Sequence, residues 1–180
     1  MNEETDEQLM RRYVQSDDRG AFEALFRRYA PRLTGFFMRS VNDRTVANDL
    51  VQQTFLHFHR ARKDFRIDAK VKPWLYTIAI NVRRELFRRR YRKPETQYDV
   101  EKHPEPSVAP DASTAQQRTV RRAMAELSDS QREVVLLHWY EGWTFREISE
   151  MVGASHSAVK VRAHRAYKVL RDILGEDDLS

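Results

Sequence analysis

Apolar residues recur along most of this chain at three- and four-residue spacings, without the alternation of half-buried strands, so the pattern predicts helices from end to end. Residues 6 to about 16 carry Leu9, Met10 and Tyr13 on the inward side of a first helix. Phe22, Leu25, Phe26 and Tyr29 form one stripe and predict a second helix over 21–29. Pro31 suits the first turn of a third, running to about residue 39 through Leu33, Phe36 and Phe37. Asp43 stands at the cap of a long helix to about residue 62, whose stripe is Val46, Ala47, Leu50, Val51, Thr54, Phe55 and Phe58. Its other side carries Asp49, Gln52, Gln53, Leu56 and Arg60. Leu56 is the odd residue there. A single exposed leucine needs no role, yet its polar and nearly uncharged neighbours also suit a docking surface.

Residues 64–72, DFRIDAKVK, read as an irregular, weakly basic loop around a lone phenylalanine. Pro73 opens the next helix, with Trp74, Leu75, Ile78, Ala79, Val82 and Leu86 inward. Its far end over 83–93, RRELFRRRYRK, holds seven Lys or Arg against one Glu and is expected to be exposed. Phosphate backbone is the simplest partner for such a run, through counterion release. A plain solvated face and an anionic lipid surface are the alternatives.

Over 94–117 the pattern stops. Pro94, Pro104, Pro106 and Pro110 break helices, and five acidic residues stand against Lys102, so this stretch is a flexible linker. Helices resume near Thr119 with Val120, Ala123, Met124 and Leu127. Ser128 and Gln131 make a capping box for a helix with Val134, Val135 and Leu137 inward. His138 falls at the next position of that stripe, either packed or pointing outward, and Gly142 ends the helix. After Leu174 the acidic tail GEDDLS frays.

Residues 144–171 predict two helices joined by a tight turn. Thr144 and Glu147 form another capping box, and Phe145, Ile148, Met151 and Val152 share a face. Gly153 stops this helix and Ser155 caps the next. In the second helix Val159, Ala163, Ala166 and Leu170 lie on one narrow side. Opposite them are Ser157, Lys160, Val161, His164, Arg165, Lys168 and Arg171, with Arg162 on the flank. Residues 156–171 contain five Lys or Arg and no acid, whereas ordinary solvated helices usually mix both signs. A cationic helix placed second in such a pair fits the major groove of DNA.

Composition agrees with a nucleic-acid partner. The 180 residues carry a net charge of +5 with 33% charged residues, which favours a polyanion without naming it. Absence of cysteine excludes disulfides and Cys-based zinc sites and suits the cytoplasm. The polar start, MNEETDEQLMRR, is no signal peptide, and the apolar run VVLLHWY falls far short of the ~20 residues of a membrane span. No catalytic, metal or cofactor site assembles: His57 and His59 are two residues apart and so diverge on a helix, and no phosphate-binding loop, GxSxG or HExxH motif occurs. The fold expected is all-α, two small helical domains over 1–93 and 118–175 joined by the linker, the C-terminal one a helix-turn-helix.

Three segments resemble bacterial RNA polymerase sigma factors of the sigma-70 family, extracytoplasmic-function group: ANDLVQQTFLHFHR at 47–60, PWLYTIAINVRRELFRRRYR at 73–92, and the stretch from LSDSQREVV to AYKVLR at 127–171. The resemblance implies roles that spacing alone does not. Asn48, Asp49, Gln52, Gln53 and Leu56 would dock on the clamp helices of core RNA polymerase. Asn48 and Gln53 stand where the family often has acids, which shifts that docking toward shape and hydrogen bonds. The 64–72 loop, with Phe65, Arg66, Lys70 and Lys72, would hold a flipped base of the promoter −10 element. Asn81, Arg83, Arg84 and Arg88 would lie along the −10 DNA. Ser157, Lys160, Val161, Arg162, His164, Arg165 and Lys168 would contact the −35 element, Val161 meeting a thymine methyl where a polar residue is common. The family also implies control by an anti-sigma factor, often attached to a membrane, with no insertion by this chain itself. The rival readings are a stand-alone helix-turn-helix repressor with a helical dimerisation domain, which would bind duplex DNA tightly without polymerase, and an interaction protein whose basic helix binds RNA or lipid.

Overall fold

The computed structural model of the chain describes residues 4–92 and 115–175, and every regular element among them is helical. The chain divides into two compact units, Met1–Glu105 and Pro106–Ser180. The expected linker lies outside the described residues except for 115–117, which already belong to a helix, and the GEDDLS tail lies outside them beyond Gly175.

The first unit holds α1 (Asp6–Ser16), α2 (Arg19–Val41), α3 (Arg44–Arg60) and α4 (Val71–Arg92). Side chains set the helix starts. Thr5 and Gln8 form a reciprocal capping box on α1, Asp18 accepts from the Ala21 N–H at 3.0 Å, and Asp43 accepts from the Val46 N–H at 3.0 Å. Asp17 and Asn42 end α1 and α2 in the left-handed conformation, at φ 54° and 52°, which short polar side chains tolerate better than most. Asp6 also ties α1 to α2, accepting from Arg28 Nη1 at 2.7 Å and from the Tyr29 hydroxyl. Burial, then that bond to Asp6, pushes the Tyr29 pKa well above the ordinary phenol value.

Two expectations fail at α2 and α4. Pro31 does not open a third helix; it sits inside one continuous α2. Leu25 and Tyr29 before it and Leu33, Phe36 and Phe37 after it are all buried on one stripe, so packing on both sides outweighs the lost N–H and the local clash. Arg83, expected on an exposed basic face, is 1% exposed. Its position continues the inward face through Ala79 and Ile80. There its Nε donates to the Ser40 hydroxyl of α2, and its guanidinium lies 4.6 Å from the Phe87 ring centroid. A partnered guanidinium with an aromatic face is tolerated where a lone charge would not be.

The second unit holds α5 (Ala115–Ala125), α6 (Asp129–Val135), α7 (Phe145–Val152) and α8 (His156–Leu174). A single π-helical turn, Leu136–Tyr140, prolongs α6. His138 is part-buried there: its Nδ1 donates to the Trp143 carbonyl at 2.7 Å and its ring lies 4.2 Å from Phe145. Arg132 has a role the periodicity did not reveal. Its guanidinium donates to the Met124, Ala125 and Leu127 carbonyls at 2.9, 3.1 and 3.1 Å. It thus satisfies carbonyls left open at the end of α5.

Two substitutions test this framework. Arg132→Met should lower the unfolding free energy of the second unit by about 1–3 kcal/mol, since carbonyls that accepted charged donors lose them; urea denaturation followed by circular dichroism reads the change. Gly153→Ala should cost about 1–2 kcal/mol in the same measurement. Gly153 sits at φ 66° with open space where a Cβ would project, so that cost is backbone strain alone.

Candidate nucleic-acid interface

α7 and α8 form the helix pair with the caps expected. Thr144 and Glu147 bond reciprocally, with 3.2 Å from the Glu147 N–H to Thr144 Oγ1 and 2.8 Å from the Thr144 N–H to the carboxylate. Gly153 ends α7, and Ser155 Oγ accepts from the Ala158 N–H at 3.1 Å. Val159, Ala163, Ala166 and Leu170 are buried as predicted. The small alanines let α8 lie close to its neighbours and leave its far side free.

That far side carries Ser157, Lys160, Val161, His164, Arg165 and Lys168, all exposed, with Arg162 half-buried on the flank. Val161 is 46% exposed, an apolar side chain held in water by the helix phase. Among the described residues, Lys160, Arg162, Arg165 and Lys168 make no ion pair. Their charge is therefore available to an external anion. Tyr167 and Arg171 extend this face, with the Arg171 guanidinium 6.0 Å from the Tyr167 ring centroid. The sequence pattern had not singled out Tyr167, because an aromatic on the flank of a stripe gives no periodic signal.

On α4 the picture is mixed. Asn81 and Arg88 are exposed and Arg84 is half-buried. Glu85 draws in two of the outer arginines, Arg88 at 2.5 Å and Arg89 at 2.9 Å. Arg83 does not reach the surface and so does not join the Arg84 and Arg88 face that the sequence predicted for it. Phe65 is likewise 5% exposed, its ring 4.9 Å from Trp74, so the lone phenylalanine of the loop is a core anchor. The loop beyond it closes a tight turn, with the Ala69 N–H donating to the Arg66 carbonyl at 2.8 Å. Arg66, Ile67, Asp68 and Lys70 are exposed on it, and Lys72 packs its ammonium 5.9 Å from the Tyr76 ring centroid. Ile67 was missed by the sequence reading, since one apolar residue in a loop has no period to reveal it.

The outward side of α3 is the third surface. Asn48, Asp49, Gln52, Gln53 and Leu56 are all exposed, and Leu56 is 46% exposed. Ala47, Leu50, Val51, Thr54, Phe55 and Phe58 fill the opposite side, where the Thr54 hydroxyl donates to the Leu50 carbonyl at 2.7 Å. Among the described residues no group of three or more His, Asp or Glu could hold a metal ion, and no helix is long and apolar enough to cross a membrane.

Residues 25–93 match the family model for Sigma-70 region 2, and residues 117–170 match that for Sigma-70, region 4. RNA polymerase sigma factor CarQ of Myxococcus xanthus is 41% identical over 161 residues, covering 88% of this chain and 92% of that protein. ECF RNA polymerase sigma factor SigM of Mycobacterium tuberculosis is 32% identical over 178 residues, covering 97% and 87%. Among solved structures, CnrH in complex with the cytosolic domain of CnrY is 26% identical with a TM-score of 0.71, covering 97% of this chain and 99% of that one. RpoE of Bartonella quintana, solved with the anti-sigma factor NepR, shares the fold at 24% identity and a TM-score of 0.68, covering 87% and 98%. A two-unit helical chain with a cationic face on the second helix of its helix-turn-helix, matched to both regions and to full-length relatives, belongs to the sigma-70 family of RNA polymerase sigma factors, extracytoplasmic-function group.

Proposed function

We propose that this sigma factor docks on core RNA polymerase through the outward side of α3 and reads promoters at two places. Asn48, Asp49, Gln52, Gln53 and Leu56 form the docking face, and Leu56 supplies its apolar contact. α8 enters the major groove at the −35 element. There Lys160, Arg162, Arg165 and Lys168 reach phosphates and base edges, Ser157 and His164 add hydrogen bonds, and Val161 meets a thymine methyl. The −10 element is engaged by Lys72, Asn81, Arg84 and Arg88 of α4 and by the 65–70 loop. Arg83 and Phe65 support that surface from behind. The work is binding: a base captured by the loop after leaving the stack favours the melted promoter, with no bond made by this chain.

The observation that carries this reading is the exposed leucine on α3. Leu56 stands opposite a complete core among polar neighbours of which only Asp49 is acidic, a setting that suits a chain that must mount on polymerase. The similar CnrH forms a complex with the cytosolic domain of CnrY. By that likeness this chain is held inactive in the cytoplasm by an anti-sigma factor that covers the polymerase-binding surfaces.

Run-off transcription with purified core polymerase, with and without the chain, tests the assignment directly; a stand-alone repressor would give no added transcript. Leu56→Glu should reduce binding to core polymerase at least tenfold while leaving the helical circular dichroism unchanged. Undiminished competition for core by that variant would remove α3 as the docking face. Arg165→Ala should weaken promoter binding by holoenzyme by about 1–3 kcal/mol if it meets a base edge, read by titration on duplexes with intact and scrambled −35 elements. An equal loss on both duplexes would reassign Arg165 to backbone contact.

A further inference from the structure

The far end of α4 carries an acid where the proposed roles call only for cations. Residues 83–93 hold seven Lys or Arg and a single acid, Glu85. Glu85 stands one helical turn after Asn81 and one turn before Arg88 and Arg89, so all four share one side of α4. Both of its carboxylate oxygens are engaged: Oε2 accepts from Arg88 Nη2 at 2.5 Å and Oε1 from Arg89 Nε at 2.9 Å. Elsewhere in the unit Arg66 lies 3.0 Å from Asp68, and Lys70 lies 4.0 Å from Glu7. Among the described residues, Lys160, Arg162, Arg165 and Lys168 of α8 make no ion pair. Exposed pairs of this kind add little to stability. What Glu85 changes is the attraction of α4 for phosphate, because one carboxylate offsets the cations on either side of it.

We propose that Glu85 is a specificity-determining residue that makes promoter use depend on the −35 element. By drawing Arg88 and Arg89 away from phosphate, it keeps α4 too weak to seat the polymerase on duplex DNA without α8. The proposal rests on the reading of α4 as part of the −10 surface. A duplex reaching α4 must separate two guanidiniums from their carboxylate and then lie beside that carboxylate. On a promoter with both elements, α8 already holds the duplex, and α4 meets it at high effective concentration. The deficit at α4 is then without consequence once the promoter is saturated. On DNA that lacks a −35 element nothing offsets the deficit, and the complex does not persist. An acid on a phosphate-facing side thus serves selection, at the expense of affinity that α4 does not need.

Run-off transcription by holoenzyme reconstituted from core polymerase and the full chain tests this on paired templates, one with an intact −35 element and one with it scrambled. Holoenzyme is used at a concentration that saturates the intact template. Glu85→Gln, which keeps the size and removes the charge, should raise transcript from the scrambled template by about threefold or more and leave the intact template unchanged. Binding of that holoenzyme to non-promoter duplex should also fall more steeply with salt, the slope of log affinity against log salt growing by about one. Glu23→Gln removes the same charge from an exposed pair with Arg19 on α2 and should change neither readout. No rise on the scrambled template with Glu85→Gln, or an equal rise with Glu23→Gln, overturns the proposal. Arg88→Ala separates the two levels of failure. If it weakens promoter binding while Glu85→Gln has no effect, α4 remains a −10 surface and Glu85 loses its role. If neither variant alters DNA binding, the reading of α4 fails as well.

Discussion

The ring of Phe58 is the point on which the first unit depends. It lies 6.1 Å from Tyr13 of α1, 6.4 Å from Phe22 of α2 and 5.2 Å from Trp74 of α4, with Phe55 of its own helix at 5.9 Å. All four helices of the unit therefore converge on one side chain. A helix has a single rotational phase, so fixing Phe58 inward fixes where every other side chain of α3 points. The outward set of Asn48, Asp49, Gln52, Gln53 and Leu56 is a consequence of that phase. Trp74 carries the constraint onward to Phe65, which anchors the start of the exposed loop. One aromatic cluster thus holds the outward side of α3 and the exposed loop after Phe65 in fixed relation within the unit.

The parts legible in the sequence were those set by local chemistry or a repeating pattern. The capping boxes at Thr144 and Ser128, the caps at Asp43 and Ser155 and the left-handed stop at Gly153 all stand where the residue types placed them. So do the inward and outward sides of α3 and α8. What the sequence did not reveal depended on distant partners. Pro31 looked like a helix start because its local effect is to break helices, and packing from Leu25 to Phe37 overrode it. Arg83 looked exposed because it opens a run of cations, but Ser40 lies 43 positions away and nothing near Arg83 announces it. His138 was undecided until the π-helical turn placed it on Phe145. The functional surfaces were legible as faces; which members of each face are supports and which are contacts was not.

The two cationic surfaces differ in a way that bears on how a promoter is engaged. Among the described residues, Lys160, Arg162, Arg165 and Lys168 of α8 make no ion pair, so their charge is open to an external polyanion, an attraction that falls with salt as counterions are released. On α4, Arg83 is buried and Arg88 and Arg89 share Glu85. DNA reaching that helix must exchange one set of charge pairs for another, which leaves less net attraction. The proposed reading gives this asymmetry a use. A strongly attracting −35 reader can find duplex DNA, while a weaker −10 surface does not trap unmelted DNA in passing. Once both readers are mounted on one polymerase, the second contact forms at high effective concentration, so α4 and its loop need little affinity of their own. Selectivity at the melted element can then come from base contacts in the loop, where hydrogen bonds distinguish one base from another, while charge on α8 sets how firmly the duplex is held.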